Sequence, residues 1–209
     1  MDTMVEAVLA EYEERQQKEI RLVKELGPQA LARRDEFLLA IGHDAGLLLN
    51  HLIKTNGCKS ILEVGTSYGA SAIWLGEAAR ANGGKLITLE IAAKKVDYAR
   101  AMAAKAGLQD SIEFVVGDAV ASIEALPGPF DFVLIDLWKD LYVPVFDALY
   151  EKLAPGAFVV ADNMILPAEW HKEVTAYQRH VRSKPDMGSV LLRTGSGLEF
   201  SQKMTAIAQ

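Results

Sequence analysis

Cysteine is nearly absent from this 209-residue chain: Cys58 stands alone, so no disulfide within the chain staples its fold. A free cysteine is mostly a small buried hydrophobe, and Cys58, just ahead of the first predicted strand, is expected to pack rather than react. No run of about twenty apolar residues occurs, the length a helix needs to cross a bilayer. The opening stretch from Met1 to Lys24 is heavily charged and lacks the apolar centre of a signal peptide. A cytoplasmic location with no membrane partner is the expectation. A cationic surplus is missing too, because 28 Asp and Glu outnumber 22 Lys and Arg and leave a formal charge of −6. Binding a nucleic-acid backbone rests on a cationic footprint, so this total disfavours such a partner, although a local basic patch can hide within it. His43, His51, His171 and His180 have no metal-like spacing, and no repeat, linker or low-complexity segment interrupts the chain.

What is present suits one domain spanning residues 1–209, long enough for a single large core. Met4, Val8, Leu9, Tyr12, Ile20, Val23 and Leu26 fit an amphipathic helix that Gly27-Pro28 ends. A second helical stretch is expected from about Gln29, broken at Gly42-His43-Asp44, with Asp44 capping a segment from Ala45 to Lys54. Residues 1–57 therefore read as a helical extension. From residue 58 the pattern alternates. Strands are predicted at Ser60 to Val64, Lys85 to Glu90, Ser111 to Val116, Phe130 to Asp136 and Ala157 to Ala161. Helices fit Ala70 to Ala81, Ala93 to Ala106, Ala119 to Leu126, Val143 to Leu153 and Ala168 to Arg182. Apolar strands joined by helices imply right-handed crossovers and a mostly parallel sheet covered on both faces. Ser189 to Leu192 and Leu198 to Ser201 flank Thr194-Gly195-Ser196-Gly197 and read as an antiparallel hairpin at the sheet edge. The fold class is a doubly wound α/β domain.

Ligands of such sheets bind outside the carboxyl ends of the strands. Two of these ends carry Asp136-Leu137-Trp138-Lys139 and Asp162-Asn163. Two carboxylates and an amide make an all-oxygen set for a hard divalent cation, magnesium foremost, with manganese or calcium also fitting and zinc disfavoured. Lys139 stands where it can take a proton from something bound there. Three other ends face the same crevice. Glu63-Val64-Gly65-Thr66-Ser67-Tyr68-Gly69-Ala70-Ser71 offers glycines for close backbone approach and free helix N–H groups for an anion. Glu90 can accept both hydroxyls of a ribose, and Gly117-Asp118 can meet an adenine edge. Dinucleotide sites carry Gly-x-Gly-x-x-Gly, but Ser67 and Ala70 stand in place of the second and third glycines. A nucleoside without phosphates, such as S-adenosylmethionine, fits better.

With these residues in view, the chain from about Phe37 onward resembles the metal- and S-adenosylmethionine-dependent O-methyltransferases of the catechol and caffeoyl-coenzyme A type. Asp136-Leu137-Trp138-Lys139-Asp140-Leu141-Tyr142 is similar to the Asp-His-Trp-Lys-Asp-x-Tyr of the catechol branch. Asp162-Asn163-Met164-Ile165-Leu166-Pro167 is similar to its Asp-Asn-x-Ile-x-Pro, and Gly197-Leu198-Glu199 to its Gly-Leu-Glu. The resemblance implies that Asp136, Asp162 and Asn163 bind the metal and Lys139 is the general base. It implies that Glu199 hydrogen-bonds the second substrate hydroxyl. Trp138, Pro167 and Phe37 would gate a flat ring whose hydroxyls lie against Lys139 and Asn163. Glu63, Gly65, Ser67, Gly69, Ser71, Glu90, Ile91, Asp118 and Ala119 would hold the cofactor, flanked by Asp136 and Trp138. Leu137 replaces the histidine of the catechol enzymes, so the chemistry is implied more firmly than catechol itself. The acceptor expected is a small vicinal aromatic diol, the alternative a tRNA base hydroxyl or a non-catalytic nucleotide module, and the resemblance also implies a homodimer.

Overall fold

The computed structural model describes residues 1–205. Helix α1 (Thr3–Leu26) starts where the Asp2 carboxylate accepts the Val5 N–H at 3.0 Å, and it stops at Gly27, whose φ of 54° leaves the helical region. Its buried stripe is Val5, Val8 and Tyr12; Ile20 and Val23, further along, are exposed.

The second predicted helix does not form as expected. Gly27–Glu36 winds as a 3₁₀ helix, and residues 37–42 run as an irregular strap. Leu39 at φ 49° and Gly42 at φ 86° turn the backbone left-handed, which no continuing helix tolerates. The strap's polar groups bond to α1 side chains instead: the Leu38 N–H donates to the Glu19 carboxylate at 2.7 Å, and Gln16 Nε2 donates to the Ala40 carbonyl at 3.3 Å. Helix α2 (His43–Thr55) begins behind Gly42 with no side-chain cap; Asp44 lies inside its first turn rather than at the cap. A carboxylate there favours the positive end of the helix dipole.

Seven strands follow in one sheet of order β3-β2-β1-β4-β5-β7-β6. They are β1 (Ser60–Val64), β2 (Lys85–Glu90), β3 (Ile112–Val116), β4 (Phe130–Ile135), β5 (Leu153–Ala161), β6 (Met187–Leu192) and β7 (Leu198–Lys203). The first five run parallel; β7 pairs antiparallel with both β5 and β6. Helices α3 (Ala70–Ala81), α4 (Ala93–Lys105), α5 (Ala119–Ala125), α6 (Tyr142–Tyr150) and α7 (His171–Arg182) fill the crossovers. Two bounds differ from expectation with consequence. Strand β5 starts at Leu153, ahead of the register shift opposite Phe130 and Phe132, so α6 ends early at Tyr150. A short 3₁₀ turn, Ala168–Trp170, precedes α7 and places Trp170 beside the strand ends.

Strand alternation sends side chains to two core layers. Ile61, Phe132, Leu134, Phe158 and Val160 meet α1 to α4, while Leu62, Val64, Val133, Ile135 and Val159 meet α5 to α7. Asp131 registers the far end of the sheet, its carboxylate accepting the Lys59 N–H at 2.7 Å and the Ser60 N–H at 3.0 Å.

In the second layer the Tyr177 ring packs edge-on against Tyr142 and Phe146, with centroids 5.4 and 6.0 Å apart. Its hydroxyl is buried and has no hydrogen-bond partner among the described residues. An unsatisfied buried hydroxyl costs roughly 1 kcal/mol or more. Tyr177→Phe keeps the ring packing and is expected to raise the unfolding free energy by about 1 kcal/mol. A urea titration checks this, and destabilisation would reveal a partner for the hydroxyl.

Candidate active site at the strand carboxyl ends

The strand order reverses between β1 and β4, so the loops after these strands separate and open a crevice. Gly65, at φ 107°, is required here: a Cβ would lie 1.9 Å from the Asp136 carbonyl oxygen. The Gly65 and Thr66 N–H groups both donate to the Leu89 carbonyl, at 2.9 and 3.0 Å, which ties the loop to β2. Ser67 takes the left-handed conformation and points its N–H at Glu90 Oε2, 2.9 Å away. Glu90 Oε1 accepts the Ala92 N–H at 2.9 Å, so both oxygens are oriented by backbone. Gly69 stands at the start of α3, which has no side-chain cap, and Ser71 is nearly buried in the first turn. Asp118 caps α5 through the Ala121 N–H at 2.9 Å, with Ala119 half-buried behind it; Ile91 is exposed. The ends of β1, β2 and β3 are thus brought to one side of the crevice.

Glu63 is not. It is fully buried beneath the loop and has no surface in the crevice. Thr88 donates to its Oε2 at 2.5 Å, and its Oε1 has no partner among the described residues. Burial pushes the Glu63 carboxyl up to about 7.

On the other side, β4 ends at Ile135 and releases Asp136, and a short 3₁₀ turn at Lys139–Leu141 folds Lys139 back inward. Lys139 is buried, and Nζ donates to Tyr142 Oη at 2.5 Å, Asn163 Oδ1 at 2.8 Å and the Leu137 carbonyl at 3.0 Å. Asp136 Oδ1 lies 3.6 Å from the same nitrogen. Asn163 reaches it from a left-handed backbone, φ 56°, after β5. Asp162 is buried beside them, and its Oδ1 has no partner among the described residues. Burial raises the Asp136 carboxyl above the ordinary range against the pull of Lys139, and burial with the Asp136 charge carries Asp162 to about 8. Burial also lowers the Lys139 ammonium below its usual value, with Asp136 and Asp162 opposing. The cluster thus sets two carboxyl groups, one half-buried and one buried, beside a single buried amine. A hard cation with oxygen ligands suits this donor set.

Trp138 stands at the rim with 40% of its surface exposed. The Trp170 ring lies 6.5 Å away at 47°, and the Arg34 guanidinium sits 4.1 Å above the Trp138 centroid. Neither Trp170 nor Arg34 is conspicuous in the sequence; Trp170 follows Pro167 closely, but nothing in the chain order links Arg34 to this rim. Pro167 is exposed. Phe37, expected at the gate, is instead buried in the strap. Glu199 is not brought to the crevice either. It is fully buried, with Oε1 accepting Arg182 Nε at 2.9 Å and Ser189 Oγ at 2.6 Å, and Oε2 accepting Gln178 Nε2 at 2.8 Å. A carboxylate so committed to α7 and β6 has a structural position.

A family model described as O-methyltransferase matches residues 13–196. The chain belongs to this O-methyltransferase family. Catechol O-methyltransferase from Mycobacterium tuberculosis is 35% identical over 61% of this chain and 58% of its own length. Caffeoyl-CoA O-methyltransferase 1 from Eucalyptus globulus is 29% identical over 66% of the chain and 56% of its own length. The match thus spans less than two thirds of either curated relative. An O-methyltransferase from Bacillus cereus, solved in complex with SAH, superposes with a TM-score of 0.76 at 26% identity, covering 97% of this chain and 91% of that one. Family membership and the doubly wound sheet agree with the sequence reading.

In this member of the family the buried Glu63 has a consequence for stability. Its carboxyl titrates at about 7 when folded, against 4.5 for the ordinary group. The folded chain therefore holds the proton over that window, and the stabilisation, full below about 4.5, is lost as pH rises through about 7. The expected difference is on the order of 3 kcal/mol. Glu63→Gln removes the titrating group, so urea titrations should show the wild type losing stability relative to the variant as pH rises from 4.5 to above 7. Parallel profiles would show that Glu63 ionises normally.

Proposed function

We propose that this chain transfers the methyl group of S-adenosylmethionine to one hydroxyl of a vicinal aromatic diol, in a site that takes a divalent cation, magnesium foremost. The observation that carries the reading is the buried Oδ1 of Asp162, without a partner among the described residues and set with Asp136 and the Asn163 amide around Lys139. Those three side chains would hold the cation. When bound, the cation's charge lowers the pKa of a neighbouring hydroxyl, and S-adenosylmethionine supplies an activated methyl.

The chain's own residues supply the rest. Lys139 Nζ takes the acceptor's proton when neutral, a form that burial already favours. Tyr142 Oη and the Leu137 carbonyl fix the nitrogen's position, so the proton's destination is set before the acceptor arrives. Glu90, held by two backbone N–H groups, keeps lone pairs free for the hydroxyls of a ribose. The uncapped start of α3 favours a carboxylate near Ser71. SAH, carried by the Bacillus cereus relative, is what the cofactor becomes after giving up its methyl. Trp138 at the rim, with Trp170 beside it, suits a flat ring, and the catechol name of the mycobacterial relative supports a diol.

Methyl transfer to a catechol, with labelled cofactor and magnesium, tests the reading. Asp162→Ala, or chelator added to the wild type, should abolish transfer while calorimetry still detects S-adenosylmethionine binding. Undiminished turnover in chelator would overturn the metal site. Lys139→Met should lower kcat by about a hundredfold or more with KM little changed. An unchanged kcat would remove Lys139 as the base.

A further inference from the structure

The Arg34 guanidinium is oriented but uncommitted. Its carbon lies 4.1 Å above the Trp138 ring, and no carboxylate or hydrogen-bond acceptor engages its side chain among the described residues. Several other arginines are committed to carboxylates: Arg33 to Glu36 through two bonds of 3.1 and 2.7 Å, Arg15 to Glu19 at 2.7 Å, and Arg182 to Glu199; what sets Arg34 apart is its place over the Trp138 ring. Stacking on an indole fixes the guanidinium plane and leaves its in-plane N–H donors free. Those donors match a carboxylate in a bidentate pair.

The location gives this free cation a meaning. Trp138 lies in sequence between Asp136 and Lys139, so its backbone belongs to the oxygen cluster while its ring reaches the exposed rim. An acceptor whose hydroxyls occupy the Lys139 end directs its opposite end toward that rim. The chain's net charge of −6 repels an anionic acceptor, and Asp136 and Asp162 add to this locally. An unpaired guanidinium at the mouth offsets that repulsion where the acceptor's distal group arrives.

Resting on the reading above, we propose that Arg34 is a specificity residue that selects aromatic diols carrying a carboxylate on the side opposite the hydroxyls. The test compares 3,4-dihydroxyphenylacetate with its neutral amide, which differ in charge but hardly in shape, across wild type, Arg34→Gln and Arg34→Lys. Wild type should favour the acid in kcat/KM. Arg34→Gln should raise KM for the acid about tenfold or more and shift KM for the amide by less than about threefold, with kcat little changed for both. Arg34→Lys should restore part of the preference, and added salt should erode it. Unchanged S-adenosylmethionine affinity and melting temperature would show that the variants are folded. Equal losses for acid and amide would reduce Arg34 to a cover over Trp138 and overturn the proposal. So would a wild type that prefers the amide, while leaving the methyltransferase reading intact. Methylation of neither compound would overturn both.

Discussion

The buried ammonium of Lys139 bonds at once to the loop after β4, through Leu137, to the loop after β5, through Asn163, and to Tyr142 at the start of α6. Two strand ends and a helix are therefore registered on one nitrogen. The arrangement is under electrostatic tension, because burial disfavours charge on Asp136, Asp162 and Lys139 alike, yet they lie close enough to need each other's charge. On the proposed function, such a site would take a further cation and pass a proton. Both follow from placing ionisable groups where the sheet splays open and water is scarce.

Support for Lys139 extends well behind it. Tyr142 Oη donates to the Asp162 carbonyl at 3.1 Å, and its ring packs on Tyr177 of α7. Helix α7 is in turn anchored to the sheet edge by the bonds from Gln178 and Arg182 to Glu199. Glu199 thus acts at a distance, holding the helix that holds the tyrosine that holds the lysine.

The side proposed for the cofactor is built differently, from backbone rather than charge. Gly65, Ser67 and Gly69 take positive φ values, and their N–H groups donate to the Leu89 carbonyl, the Glu90 carboxylate and the Thr66 carbonyl in turn. The strap over this loop belongs to the amino-terminal helices: Ser67 Oγ donates to the Leu38 carbonyl at 3.3 Å, and Tyr12 Oη donates to the Tyr68 carbonyl at 2.6 Å. Arg15 of α1 lies 4.3 Å above the Tyr68 ring. The helical extension is therefore part of the construction of the loop after β1.

The alternation of apolar strands and helices, the Asp-x-Trp-Lys and Asp-Asn segments and the Gly65 loop were readable along the chain. Each depends on neighbours a few residues away, and the sheet rules convert that order into strand ends on one side. The 3₁₀ segment and strap were not readable, since an apolar spacing that suits a helix was overridden by bonds from Glu19 and Gln16 on a separate helix. The roles of Glu199, Phe37 and Glu63 also escaped, because burial of a side chain is decided by partners distant in sequence. Arg34 over Trp138 is the same case in reverse, a contact between residues about a hundred positions apart that makes a rim. The sequence by itself determined the sheet and the oxygen-and-lysine cluster, for both are written in short local patterns. Only the tertiary structure decided which charges were sealed, which were paired and which was left free at the mouth, because desolvation and pairing exist only once the chain has closed upon itself.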